Sequence, residues 1–284
     1  SVQPSRLSPV SGYWGGIIIN GKAPISGQNA DKSDTGLTEI DNSFKYGGNV
    51  DDDNSGSLTY VQICYAGARS TADIEHNGLT LNGVGAGTQV SYVQTYVGAD
   101  DGLEFFGGTV NVTNLLAVNP DDDMFDFTQG YSGTLKNCYG VWENGYTSTE
   151  ADPRGIEADG NLDGLYPTHL RQSDFRVENM TIVNNAADKA DNVDRMQDVI
   201  KIRRGAKAAI VNALVKGTGG SIDLIDMSDS KGAGNADSSV SITNSLNLTG
   251  KKLNGTLNTF AEPAGNTGTD VSLFTWTGYN FSSL

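Results

Sequence analysis

Cysteine, histidine and proline are scarce: the 284 residues include two, two and seven of them. Cys64 and Cys138 are too few for a disulfide scaffold, and without C-x-x-C spacing they form no zinc site. His76 and His169 stand in Glu75-His76-Asn77 and Thr168-His169-Leu170, contexts that read as surface or turn positions. Long apolar runs are also missing. The longest are about as short as Ile17 to Ile19, far below the ~20 residues of a membrane span, so no transmembrane segment is expected. Basic residues number 19 against 34 acidic ones, and the net charge of -15 opposes nucleic acid or an anionic membrane surface as partner. Nucleophile elbows and phosphate loops do not occur. No signal peptide opens the chain at Ser1, which reads as the start of a mature or fragmentary product.

Glycine, in contrast, is plentiful at 36 residues, and it lacks the every-third period of a triple helix. Short alternating apolar runs fill the spaces between glycine clusters, which argues against global disorder. A marker triplet recurs along the chain: Leu58-Thr59-Tyr60, Val90-Ser91-Tyr92, Val112-Thr113-Asn114, Leu135-Lys136-Asn137, Val177-Glu178-Asn179, Ile210-Val211-Asn212 and Ile242-Thr243-Asn244. The shortest steps define a unit of about 22 residues, with loop insertions in the longer ones. A second triplet, apolar-polar-apolar in most copies, precedes most markers: Leu79-Thr80-Leu81, Leu103-Glu104-Phe105, Phe125-Asp126-Phe127, Ile156-Glu157-Ala158, Ile200-Lys201-Ile202 and Ile222-Asp223-Leu224.

Two short strands per unit of about 22 residues fit a rung of a parallel β-helix better than a propeller blade or a leucine-rich repeat. The marker Asn suits an αL turn whose amide stacks on the next rung. The expectation is an all-β, right-handed, single-stranded parallel β-helix with loop insertions, spanning 1–284 as one domain and lacking upstream rungs. Gly12 to Ile19 should begin the core, and Phe274 to Tyr279 should cap the far end. Ala186 to Val199 is the one stretch that fits a short helix. The register puts Cys64 and Cys138 about three rungs, or roughly 14 Å, apart, too far for a disulfide, so both should be reduced.

One polar residue per rung then forms an outward column: Thr80, Glu104, Asp126, Glu157, Lys201 and Asp223. Neighbours ~4.8 Å apart would include three consecutive carboxylates, which need a cation, a proton or a ligand hydroxyl. Read as an enzyme, the column offers Glu104, Asp126 and Glu157 as acid, base or nucleophile, with Lys201, Arg203 and Arg204 as clustered bases. Read as a binding strip, it offers Glu104, Asp126, Glu157, Lys201 and Asp223, with Tyr131, Trp142 and Tyr146 as neighbouring aromatics for sugar stacking. Insertions at 143–176 and 184–198 would wall a groove over it. Asp100-Asp101 aligns with Asp122-Asp123 at the 22-residue step, and stacked carboxylate turns suit calcium, the one cofactor considered.

The segments Trp14-Gly15-Gly16-Ile17-Ile18-Ile19-Asn20-Gly21-Lys22-Ala23-Pro24-Ile25, Gly78 to Gly85, Asp100 to Val110 and Arg154-Gly155-Ile156-Glu157 resemble a family of envelope proteins of Gram-negative bacteria. These are secreted or lipid-anchored β-helix proteins, notably of Bacteroidetes, described as hypothetical lipoproteins or putative outer-membrane proteins. The likeness covers roughly residues 12 to 185. It implies a pectate-lyase-like coil located outside the cytoplasm, at the cell surface or secreted, and it carries over no catalytic residue. The paired Asp are also similar to those of polygalacturonases, whose Gly-His-Gly is missing here. The leading functional expectation is a non-catalytic surface protein for adhesion or glycan binding. A polysaccharide hydrolase or lyase is the alternative, and a surface-layer or filament subunit the third.

Overall fold

The apolar-polar-apolar triplets become short strands and the marker triplets open longer ones in the computed structural model of the protein, which describes residues 11–29, 34–69, 76–187 and 196–284. In chain order the first strands are β1 (Ile17–Asn20), β2 (Gly36–Leu37), β3 (Lys45–Tyr46), β4 (Ser57–Cys64), β5 (Leu79–Asn82) and β6 (Gln89–Tyr96). They continue as β7 (Leu103–Phe106), β8 (Val112–Val118), β9 (Phe125–Thr128), β10 (Thr134–Trp142), β11 (Ile156–Asp159) and β12 (Asp174–Asn184). The last are β13 (Met196–Arg203), β14 (Lys207–Lys216), β15 (Gly220–Asp226), β16 (Ser239–Asn244), β17 (Asn247–Leu248) and β18 (Thr259–Ala261).

One eight-stranded sheet runs in the order β1-β5-β7-β9-β11-β13-β15-β17, and a second runs β18-β16-β14-β12-β10-β8-β6-β4. All pairs in both are parallel. Each circuit of the chain adds one strand to each sheet, so the fold is the expected parallel β-helix. Period-two alternation turns Leu79, Leu103, Phe125, Ile156 and Ile200 inward at one register position, each 0% exposed. Aromatic rings stack along the axis inside: Phe105 on Phe127 at 5.2 Å and Phe127 on Phe175 at 4.1 Å. Gly108, at φ +85°, lets the chain turn between β7 and β8 where a Cβ would lie 2.4 Å from the Val84 carbonyl.

The marker residues bend the long strands. Tyr60, Tyr92, Asn114, Asn137, Asn179 and Asn212 all have φ between 53° and 58°. The four Asn side chains form an amide ladder and the two Tyr rings a stacked pair. Asn137 Nδ2 donates to Asn114 at 2.9 Å, Asn179 to Asn137 at 2.8 Å and Asn212 to Asn179 at 2.8 Å, while Tyr60 and Tyr92 stack at 4.4 Å. The seventh marker is out of register: Val240 aligns with Ile210, and a bulge carries Ile242 to Ala213. Asn244 therefore misses the ladder and accepts from the Leu246 amide instead. Cys64 and Cys138 are free, on β4 and β10.

Two other expectations change. Met196 to Val199 belongs to strand β13, and 188–195 of the expected short helix lie outside the described residues. The Phe274 to Tyr279 segment does not cap the coil end. It follows a strap that runs back across the outer face of the long sheet, with Thr267 on Asn212, Thr269 on Cys138 and Phe274 packed among Leu116, Val118 and Tyr139. That outer face is apolar at those rungs, and covering it removes it from water.

Candidate functional site

The short sheet presents three outward columns, and its register fixes what meets in them. The first reads Thr80, Glu104, Asp126, Glu157, Lys201 and Asp226. Asp226 takes the place expected for Asp223, which pairs instead with Asp198. Ile222-Asp223-Leu224 and Ile225-Asp226-Met227 both fit the apolar-polar-apolar pattern, and the second takes the register, with Ile225 and Met227 buried and Ile222 only half-buried. The second column, three residues earlier, reads Asp101, Asp123, Arg154, Asp198 and Asp223; stacked turns hold it, with the Asp123 amide donating to Asp101 Oδ1 at 2.8 Å. The third holds Asn82, Phe106 and Thr128, then Asp159 and Arg203.

The lower half of this lattice is largely neutralised by its own cations, although Asp198, Asp223 and Asp226 also bring one oxygen each within 4.8 Å of one another. Arg154 and Arg203 both donate to Glu157, Arg203 Nε reaches Asp159 at 2.6 Å and Arg204 reaches the other Asp159 oxygen at 2.5 Å. Arg154 Nε also lies 3.4 Å from Asp198. Lys201 is buried and pairs with Asp226. It is thus engaged within the sheet and does not line the cleft described below, contrary to the expectation of a base or ligand group. Asp223 accepts from the Lys251 amide at 2.5 Å, also away from the cleft.

The upper half differs. Single carboxylate oxygens of Asp101, Glu104 and Asp126 lie within 4.8 Å of one another, as do those of Asp123, Asp126 and Glu157 and those of Asp100, Asp101 and Asp122. The four expected calcium residues are therefore divided between two groups. Glu104 accepts from Asn77 Nδ2 at 2.5 Å. Asp122, Asp123 and Asp126 each keep one buried oxygen without a partner among the described residues. Burial drives the Glu104 carboxyl well above the usual range, with the Asp126 charge adding to the rise. Asp126 rises for the same first reason, then through Glu157 and Asp159, with Arg203 opposing. Asp101 and Asp123 also rise strongly by burial and neighbouring carboxylates, and Asp122 is pushed up to about 7. Burial raises Glu157 as well, while Arg154 and Arg203 pull it back.

A cleft of about 420 Å³ opens over Glu104, Asp126, Glu157 and Asp159. One wall is the hairpin β2–β3 and its loop, through Leu37, Thr38, Glu39, Ile40 and Tyr46. The other is Leu162 and Asp163, from the expected insertion at 143–176. The described residues of 184–198 do not line it. Sequence reasoning missed the hairpin. Its seat is apolar, Tyr46 packing with Ile25 and Phe106 beside Leu162, and Tyr46 donates to Gln129 at 2.7 Å. His169 ties the two walls together. It is buried, not a surface residue, and its Nε2 lies 2.8 Å from Asp34. His76 is half-buried.

The expected sugar-stacking aromatics are interior. Tyr131 is 0% exposed, stacked on Phe105 and donating to the Val110 carbonyl at 2.8 Å. Trp142 is buried and donates to the Pro120 carbonyl at 2.9 Å, where half-buried Tyr146 also donates. Neither Tyr131 nor Trp142 can touch a ligand in the cleft. Arg154 and Asp226 were missed although a signal existed: Asp101-x-x-Glu104 recurs as Asp123-x-x-Asp126, Arg154-x-x-Glu157, Asp198-x-x-Lys201 and Asp223-x-x-Asp226.

No curated protein and no solved structure matches the chain. A family model described as a pectate-lyase like beta helix domain matches residues 3–278, nearly the whole length, and the chain belongs to that family.

Proposed function

We propose that this member of the pectate-lyase-like β-helix family binds a neutral glycan in the acidic cleft and hydrolyses it, with Asp126 as proton donor and Glu157 as its ionised partner. The observation that carries the reading is the contrast between these two neighbours. Asp126 is half-buried with one oxygen sealed from solvent, meets no cation directly among the described residues and is raised well above the carboxylate range, whereas Glu157, also raised, receives two guanidiniums that pull it back. Environments that separate two carboxyls in this way assign acid and base roles. Their oxygens lie within 4.8 Å, nearer the ~5–5.5 Å of a retaining glycosidase than the wider inverting spacing. The acidic lining disfavours polyuronides, and the apolar seat of Phe106 and Leu162 suits the C–H face of a sugar. An extracytoplasmic, envelope-associated location belongs to the same proposal and rests on the resemblance of residues 12 to 185.

The test is incubation with neutral polysaccharides at pH 5 to 8, reading reducing ends. Release that disappears in Asp126→Asn and Glu157→Gln, with both variants folded, supports hydrolysis. Glycan binding that needs the same residues but yields no product supports the non-catalytic, surface-presenting role instead.

One observation favours a second reading, calcium in the upper half. The unpartnered oxygens of Asp122, Asp123 and Asp126 are the donor chemistry a hard cation takes. Asp123, Asp126 and Glu157, whose oxygens lie within 4.8 Å of one another, would then hold the ion, and Asp126 would give up its proton. Calcium-induced proton release, absent in Asp126→Asn, separates the two readings.

A further inference from the structure

We infer that a second pocket, on the outer face of the long sheet, binds a neutral sugar independently of the acidic cleft. The strap and the first two rungs enclose a space of about 400 Å³. Its chemistry contrasts with the cleft. Tyr65, Tyr96 and Tyr279 supply three aromatic walls, Gln62, Gln94 and Asn280 three amides and Glu143 the one carboxylate of the lining.

The polar groups are held in place by one another. Gln62 Nε2 donates to Gln94 Oε1 at 2.7 Å and to the Thr277 carbonyl at 2.8 Å. Among the described residues Gln94 Nε2 then meets no acceptor, although Gln94 is only 3% exposed. The hydroxyls of Tyr65 and Tyr96 also have no partner among the described residues, and Tyr65 is only 6% exposed. Tyr65 and Tyr96 meet edge to face at 5.7 Å, which fixes both rings. Neither the Gln94 Nε2 nor the Tyr65 hydroxyl is sealed from solvent, so both open onto the pocket, where a ligand can replace the water that meets them.

The class of ligand follows from this inventory. Sugar hydroxyls donate and accept, matching an amide N–H and phenol hydroxyls, and sugar C–H faces pack on tyrosine rings. Both Glu143 oxygens are engaged, by Tyr279 at 2.8 Å and Asn119 at 2.8 Å, so the carboxylate is not free to capture a cation. The same carboxylate and the net charge of -15 disfavour an anionic ligand.

The test uses calorimetric titration of the whole chain with neutral trisaccharides of glucose, xylose, mannose, galactose and N-acetylglucosamine. At least one should bind, and Gln62→Ala and Tyr279→Ala should each weaken it about tenfold or more. The double variant Glu104→Gln/Asp126→Asn should leave that binding within about twofold, which separates failure of this pocket from failure of the cleft. Gln62 is exposed, so its substitution leaves the core intact and decides the matter if Tyr279→Ala loosens the strap. The inference is overturned if none of the sugars binds at millimolar concentration, if Gln62→Ala binds as the parent does, or if only the cleft variant loses binding.

Discussion

The upper and lower halves of the short sheet carry the same columns on the same scaffold, yet they manage charge in opposite ways. From β11 downward, Arg154, Lys201, Arg203 and Arg204 lie among the carboxylates and pair with them. At β7 and β9, four carboxylates, Asp101, Glu104, Asp123 and Asp126, stack without a paired cation among the described residues, and all four are driven up by burial. A ladder with its own cations is structural, because its charges are satisfied within the protein. A ladder without them has to hold protons or a ligand, and the cleft opens over part of it. The upper half therefore gives up stability at neutral pH in a region where a ligand can restore it.

The largest expected effect comes from removing a cation in the lower half. Arg154→Met leaves Glu157 and Asp198 facing Asp123 and should cost about 3–5 kcal/mol in denaturant unfolding at pH 7. If the loss is under about 1 kcal/mol, the halves do not differ as described. The mirror experiment has the opposite sign. Asp126→Asn keeps the shape and removes a buried charge, and should stabilise by about 1 kcal/mol at pH 8 while changing little at pH 5.

The pH dependence of the parent follows from the same groups. Their folded pKa values lie above the unfolded ones, as does that of the neighbouring Asp122 at about 7. Their stabilising contribution is present in acid and is lost as pH rises through those values. Thermal midpoints should fall between pH 5 and pH 8, and millimolar calcium should reverse the fall if the cation reading holds. The smallest effect is a control in the long sheet. Asn137→Ala breaks two neutral rungs of the amide ladder and should cost about 1–2 kcal/mol equally at both pH values.

The ladder was legible in the sequence because its signals are local. Asn114, Asn137, Asn179 and Asn212 each carry the αL turn within a few residues of their own strand. The acidic stack was legible for the same reason, since Asp100-Asp101 and Asp122-Asp123 are one repeat apart and the structure keeps that register. What was hidden depends on distant segments. The hairpin wall is seated by contacts from Tyr46 to Gln129 and from Asp34 to His169. The strap that encloses the tyrosine pocket pairs Thr277 with Gln62 across most of the chain. Tyr131 and Trp142 looked like loop aromatics because nothing local shows that the turn after Gly130 folds inward or that Pro120 waits for the indole.

The central claim, that the upper ladder holds protons near neutrality, is tested most directly by carbon-13 NMR titration of the side-chain carboxyls. Glu104 and Asp126 should titrate well above the usual carboxylate range, and the Asp126 midpoint should drop when Glu157 is changed to Gln. Both carboxyls titrating near pH 4, as exposed ones do, would contradict it.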